Sequence, residues 1–172
     1  KEGSILWQKL FYGNLSSQDQ SFKIEETSDG GYVICGYMNT YIINDSDLDF
    51  MVFKLDKNGN ILWQKAIGGI SSDQAFSFSE NSLGEFLITG QSCSFTPSCE
   101  ALIVKLNGTG AVQWQKTIGT SGDEAGFFIK TTSDSGALIV GTTSSNGVDN
   151  NYHGWVIKIN VNGTVEWQKA LN

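Results

Sequence analysis

The chain has 172 residues, the length of one ordinary domain able to bury about 70% of its unfolded surface. Apolar residues make up 40%, aromatics 12% and charged residues 17%, with 20 Gly against 1 Pro, which excludes a charge-rich disordered chain and a collagen. A net charge of -7 sets the chain against nucleic acid and anionic membrane surfaces, since both need a basic face to displace counterions.

From its start the chain reads Lys-Glu-Gly-Ser, without an initiator Met or a signal peptide, as expected of a processed or trimmed product. No apolar run approaches the roughly 18 residues of a spanning helix, the longest being scraps such as Ala101 to Val104. A first strand is predicted over Ile5, Leu6, Trp7, Gln8, Lys9 and Leu10, within a segment 4–12. Its Trp-Gln-Lys tripeptide recurs at Trp63, Trp114 and Trp167, at spacings of 56, 51 and 53 residues.

The interval between tryptophans repeats in order. A Ser-x-x-Asp or Ser-x-Asp step carries Asp19, Asp73 or Asp123, and an alternating run follows (Ser21 to Glu26, Ala75 to Glu80, Gly126 to Thr131). A Gly-containing turn comes next, at Asp29-Gly30-Gly31, Ser82-Leu83-Gly84 or Asp134-Ser135-Gly136, then an apolar run ending in Gly36, Gly90 or Gly141. A variable polar loop leads to an apolar strand bearing Lys54, Lys105 or Lys158. Asn58-Gly59, Asn107-Gly108 or Asn162-Gly163 then turns the chain back to Trp-Gln-Lys. Asn-Gly and Asp-Gly supply positive φ cheaply and predict two-residue hairpins. Alternation at Phe22 and Ile24, and at Phe76 and Phe78, predicts one buried face; Met51-Val52-Phe53 and Leu102-Ile103-Val104 read as buried on both. No segment carries a 3.6-residue apolar period of helical length, so the predicted helix content is near zero.

Four short antiparallel strands per repeat, covered on both faces, describe the blade of a β-propeller. Leu55-Asp56-Lys57-Asn58-Gly59-Asn60-Ile61-Leu62-Trp63 resembles the Asp-x-x-x-Gly-x-x-x-Trp element of the quinoprotein-type propeller repeat, with one residue fewer between Asp56 and Gly59. It recurs as Leu106 to Trp114 and Ile159 to Trp167, with Asn107 and Asn160 in place of the Asp. The whole unit resembles the tandem Trp-Gln-Lys, Asp-Gly-Gly propeller repeats of secreted and surface-exposed microbial proteins. The resemblance implies a scaffold more than a task, because propellers host many functions.

The expected fold is therefore all-β: three four-stranded antiparallel blades, at about 19–67, 73–118 and 123–170, plus one surplus N-terminal strand. Closed propellers have 4 to 8 blades, and an open arc leaves two blade faces wet. Three accounts fit: a module closed by another chain, an excised fragment, or a compact arrangement that covers its own edges. Six blades from two copies, or head-to-tail joining through the spare strand, would each meet the first account.

Few residues offer chemistry. His153 is the only histidine, so a multi-His metal site is excluded, and its loop setting reads as a polar rim position. Cys35 reads as a buried strand residue. Cys93 and Cys99 bracket a loop only the second repeat contains and suit a disulfide of an oxidising compartment, with free thiols the alternative. Asp45, Asp47 and Asp49 alternate as calcium ligands do, although Phe50 stands where the turning Gly of a calcium loop belongs; a solvated acidic loop is the other reading. Asp19, Asp73 and Asp123 read as turn caps or blade ties, with a ring of carboxylates the alternative. The repeated Trp side chains read as blade packing in preference to sugar platforms, and Trp155 as strand core. Asn14, Asn44, Asn107 and Asn162 open Asn-x-Ser/Thr sequons, and Asn107 and Asn162 also serve as turn residues.

The leading functional expectation is a non-enzymatic, extracellular or cell-surface module that assembles with other copies of itself or with further blades. A carbohydrate-binding propeller is the alternative, weakened by variable loops (Asn39 to Asp47, Ser92 to Ser98, Thr142 to Tyr152) that differ in length and chemistry. A fragment of a quinoprotein-like enzyme comes last, since Cys93 and Cys99 are not adjacent and no nucleophile elbow, phosphate loop or metal triad is present. No cofactor is expected beyond the calcium option.

Overall fold

The computed structural model describes residues 3–11, 19–39, 48–144 and 151–171. Among the described residues twelve strands form three sheets, each an antiparallel meander in chain order. The first holds β1 (Gln20–Glu26), β2 (Tyr32–Asn39), β3 (Leu48–Leu55) and β4 (Ile61–Ile67); the second β5 (Asp73–Glu80), β6 (Phe86–Ser92), β7 (Glu100–Leu106) and β8 (Val112–Ile118). The third holds β9 (Glu124–Thr131), β10 (Ala137–Thr143), β11 (His153–Ile159) and β12 (Val165–Leu171), and the described residues include no helix. The all-β, three-blade expectation holds.

The hairpins differ from the expected two-residue form. Asp56 and Asn60 pair across a three-residue loop, in which Gly59 N donates to Asp56 O and Gly59 has φ 78°. Asp56 Oδ1 accepts the amides of Asn58 and Asn60, both at 2.8 Å. Asn107 does the same for Thr109 and Ala111, and Asn160 for Asn162 and Thr164. The left-handed residue of the second blade's β7–β8 hairpin is consequently Gly110 and not Gly108. A side chain that accepts two loop amides favours the longer loop, a turn closed by one left-handed residue.

A lysine anchors each blade. Lys54 Nζ donates to Thr27 Oγ1 and to Asp29 Oδ1 at the β1–β2 turn, the latter at 2.6 Å. Lys105 pairs with Glu85 at 2.8 Å, and Lys158 with Asp134 at 2.8 Å and Glu166 at 3.1 Å. The Lys54 ammonium, followed by Thr27 and the Gly31 amide, holds the Asp29 carboxyl at about 2, against the usual 3.8. Asp134 is held down in the same way, by Lys158 first and then by Thr132 and Gly136. At Lys158 burial opposes the charge, but the two carboxylates outweigh it and its pKa is raised.

The sheets bury their facing sides on one another. Val33, Cys35, Phe50 and Val52 of the first blade pack on Phe78, Phe86, Ile88, Leu102 and Val104 of the second. Leu87, Ala101 and Ile103 on the second blade's other face pack on Ile129, Ile139, Trp155 and Ile157 of the third. The first strands converge. Each contains a bulge, and the extra residues Phe22, Phe76 and Phe127 form a ladder with ring centroids 5.3 Å and 5.5 Å apart. Opposite each bulge stands Gly36, Gly90 or Gly141, where a Cβ would come within 1.9 Å of a first-strand carbonyl oxygen, which explains why each apolar run ends in glycine.

The tryptophans reach outward to the next blade. A Cβ on Gly110 would lie 2.7 Å from the Trp63 ring, and one on Gly163 would lie 2.8 Å from the Trp114 ring. Trp63 Nε1 also donates to Gly108 O at 3.0 Å. Each ring thus rests on the β3–β4-type turn of its neighbour, as blade packing requires.

Gly110→Ala meets both a positive φ and the Trp63 ring, so it should lower unfolding stability by about 1–3 kcal/mol, read from the urea midpoint. An unchanged midpoint would show that the ring does not depend on a bare turn. The Asp29 carboxyl is depressed on folding, so its contribution is present above about pH 4 and is lost as pH falls through about 2. Asp29→Asn should flatten the acid limb of the stability curve in that window. It should cost about 1 kcal/mol or less at neutral pH, because Asp29 is largely exposed.

Candidate functional site

The sequence offered three places where function could reside: the corners between blades, the loops, and the faces at the two ends of the fan. At the first corner Asp73 opens β5 fully buried, and its Oδ2 accepts from Gly69 N at 2.9 Å and Ser94 Oγ at 2.7 Å. Its Oδ1 is buried with no hydrogen-bond partner. The Asp49 carboxylate lies alongside, for a Cβ on Gly68 would come within 2.0 Å of Asp49 Oδ1 and 2.5 Å of Asp73 Oδ2. At the second corner Glu124 takes that position. It accepts from Thr143 Oγ1 at 2.8 Å and Thr120 N at 3.2 Å, and it meets Glu100 over the bare face of Gly119.

Ladder register makes Asp19, Asp73 and Glu124 the matching residues, one position away from the expected Asp123. The signal lies in spacing: each of the three stands seventeen positions before Gly36, Gly90 or Gly141. Asp123 instead accepts the Cys99 amide at 3.0 Å, and Asp19 accepts that of Asn39 at 3.1 Å. Each acid caps the amides of its own corner.

The Cys93–Cys99 disulfide is formed, with Cα atoms 4.1 Å apart. Its loop braces both corners: Cys93 N donates to Ser72 O, Ser94 holds Asp73, and Glu124 N donates to Cys99 O. Cys35 is buried, and burial pushes its thiol up to about 12. His153 is the first residue of β11, paired with Thr143, and therefore stands in a strand and not in a loop. Of the calcium trio, Asp45 and Asp47 lie outside the described residues, and among the described residues no group of three acids, histidines or cysteines could hold a metal. Asn14 and Asn44 also lie outside them, whereas Asn107 and Asn162 occupy hairpin loops as expected.

The end faces show the largest departure from satisfied packing. On the third blade's far face Phe128 is 67% exposed, Leu138 37%, Val140 41%, Trp167 49% and Leu171 53%. The equivalents of Leu138 and Val140 are Val33 and Cys35 on the first blade and Leu87 and Thr89 on the second, all buried. At the opposite end the first blade's outer face holds Met51, Phe53 and Leu55, packed with Phe11, Tyr32, Ile34 and Met38.

Residues 3–11 lie on that face but carry no strand, which corrects the expected surplus strand at Ile5 to Leu10. Their sequence matches β4, β8 and β12. The first blade's four strands already pair among themselves, however, and a strand exists only where a ladder partner completes it. Ile5, Leu6 and Leu10 are exposed in consequence.

No family model matches the chain, and no curated protein matches it in sequence. Among solved structures it is similar to BamB from Moraxella catarrhalis, with a TM-score of 0.53 and 15% identity over 92% of this chain and 38% of that chain. The WD40 domain of Pan2 from Neurospora crassa aligns with a TM-score of 0.49 and 11% identity, over 88% of this chain and 50% of that chain. The chain thus spans half or less of the length of either structure. The likeness to BamB agrees with the sheet topology in identifying the fold as a run of β-propeller blades.

Proposed function

We propose that this chain is a non-enzymatic interaction module whose blades dock face to face on other blades, those of further copies of itself. The observation that carries the reading is the third blade's far face, where Phe128, Leu138, Val140 and Trp167 stand open at positions that the other two blades bury or half-bury in their interfaces. An apolar sheet face of this kind marks a contact surface, and a module that already builds two such interfaces within itself supplies the complementary surface in every copy.

An extracellular or surface setting is part of the proposal. The Cys93–Cys99 bridge suits an oxidising compartment, and the resemblance to secreted repeats points the same way. Recognition of sugars has less support. Trp63 and Trp114 lay their rings on neighbouring turns, and Trp155 is buried, so none of the three presents an open stacking platform.

The test is the concentration dependence of mass, by sedimentation or mass photometry. The chain should self-associate, and Leu138→Asp with Val140→Asp should weaken association by tenfold or more while leaving the far-UV spectrum unchanged, because both sites are partly exposed already. A chain that stays monomeric at every accessible concentration would overturn the reading.

A further inference from the structure

Inter-blade docking follows one pattern, and it can be followed side chain by side chain. Trp63 rests on Gly110 with Phe86 beside it at 6.0 Å, and Trp114 rests on Gly163. Four residues along from these tryptophans, Ile67 enters the core with Val104, and Ile118 enters the core with Ile157. The unpaired segment 3–11 makes the same set of contacts on the first blade. A Cβ on Gly59 would lie 3.0 Å from the Trp7 ring. Tyr32, which is the ladder equivalent of Phe86, lies 5.9 Å from Trp7. Phe11, four residues along, stacks at 4.7 Å on Phe53, the equivalent of Val104 and Ile157.

The grooves beside these contacts also correspond. One of about 270 Å³ is lined by Phe11, Met51, Ile61 and Gln64, and one of about 280 Å³ by their equivalents Ile118, Trp155, Val165 and Gln168. Residues 3–11 therefore occupy the place of the outer strand of a preceding blade. One outer strand has no turn to rest on among the described residues: β12, whose Trp167 and Leu171 hold the Trp7 and Phe11 positions of the pattern and stand 49% and 53% exposed.

We propose that residues 3–11 are an internal plug, and that the seat beneath them on the first blade takes Trp167 and Leu171 of a second copy when copies join. The proposal rests on the self-association reading above and names its contact surface and its competitor. The occupant is a second copy because the seat, formed by Gly59, Tyr32 and Phe53, repeats the seats that Trp63 and Trp114 fill, and β12 carries the matching side chains at the matching spacing. β12 also presents them from a strand fixed by its ladder with β11, so it loses less freedom on docking than the unpaired segment does. The plug lowers the apparent affinity between copies by the fraction of time it holds the seat. Two copies that join reciprocally give six blades; copies that join in one direction give an open series.

The experiment measures self-association of the full chain by sedimentation across concentration, in three forms. Trp7→Ala with Phe11→Ala weakens the plug and should tighten association by tenfold or more. Trp167→Ala with Leu171→Ala should weaken association by a similar factor in both the native and the plug-weakened backgrounds. Near-UV spectra establish that each variant keeps its packed blades, and a synthetic peptide of residues 1–11 added to the plug-weakened variant should restore the weaker association. Unchanged or weaker association on losing Trp7 and Phe11, with Leu138→Asp and Val140→Asp still disruptive, would overturn the plug while self-association stands. A plug-weakened chain that remains monomeric alongside a monomeric native chain would overturn both.

Discussion

The structure depends on one contact, a tryptophan ring laid on the left-handed glycine of the next blade's outer hairpin. Each four-stranded sheet is a single layer with two apolar faces and cannot hold itself together in water. Cohesion comes from neighbours, so stability is close to a sum of nearest-neighbour terms, as in other repeat architectures. The tryptophan fixes the outer margin of each interface, where the sheets diverge, while the Phe22–Phe76–Phe127 ladder fixes the inner margin. Between the two, the aliphatic side chains of facing strands meet without needing further directional contacts.

How much of this was legible follows from where the information lies. The repeated Trp-Gln-Lys, the turn residues and the alternation give the sheets, because pattern period and turn chemistry are local properties. The bulges were not legible. An extra residue in a first strand leaves the composition of the run unchanged, and Phe22 or Phe76 can be placed only once its ladder partner is known. For the same reason Asp123 stands out beside Ser121 and Gly122, while Glu124, the residue that fills the corner, is recognisable only by counting back from Gly141. The hairpin loops are one residue longer than the two-residue turn that Asn107-Gly108 implies, because Asn107 accepts the Thr109 and Ala111 amides.

The N-terminal segment is the instructive failure. Trp7-Gln8-Lys9 is identical to the tripeptides of β4, β8 and β12, yet it forms no strand. Strand propensity describes a fit to a half-buried pleated surface and carries little backbone preference of its own, so the same residues behave differently without a ladder. What survives is the side-chain half of the pattern: Trp7 and Phe11 find their pockets although the backbone between them pairs with nothing. Docking and pairing are thus separable in this repeat, which is what an exchangeable contact requires.

The corners and the faces divide the labour. At the corners the acids, the bare glycines and the disulfide loop are tied by hydrogen bonds to residues of their own and adjacent loops, and that bonding varies from blade to blade: Asp73 with Ser94 at one, Glu124 with Thr143 at the next. The faces use the same apolar geometry each time. Under the proposed self-association, specificity between copies cannot come from the aliphatic faces alone, because any blade would then fit any other. It must come from the tryptophan seat, whose depth is set by one glycine and whose flank differs between blades: Tyr32, Phe86 and Ala137 at equivalent positions. A tethered segment holding the Tyr32 seat competes at an effective concentration in the millimolar range for a short linker, so in the proposed assembly a second copy would gain the seat only by also burying the face beside it. Trp167 alone would lose to Trp7; Trp167 together with Phe128, Leu138 and Val140 brings a surface that the plug does not have.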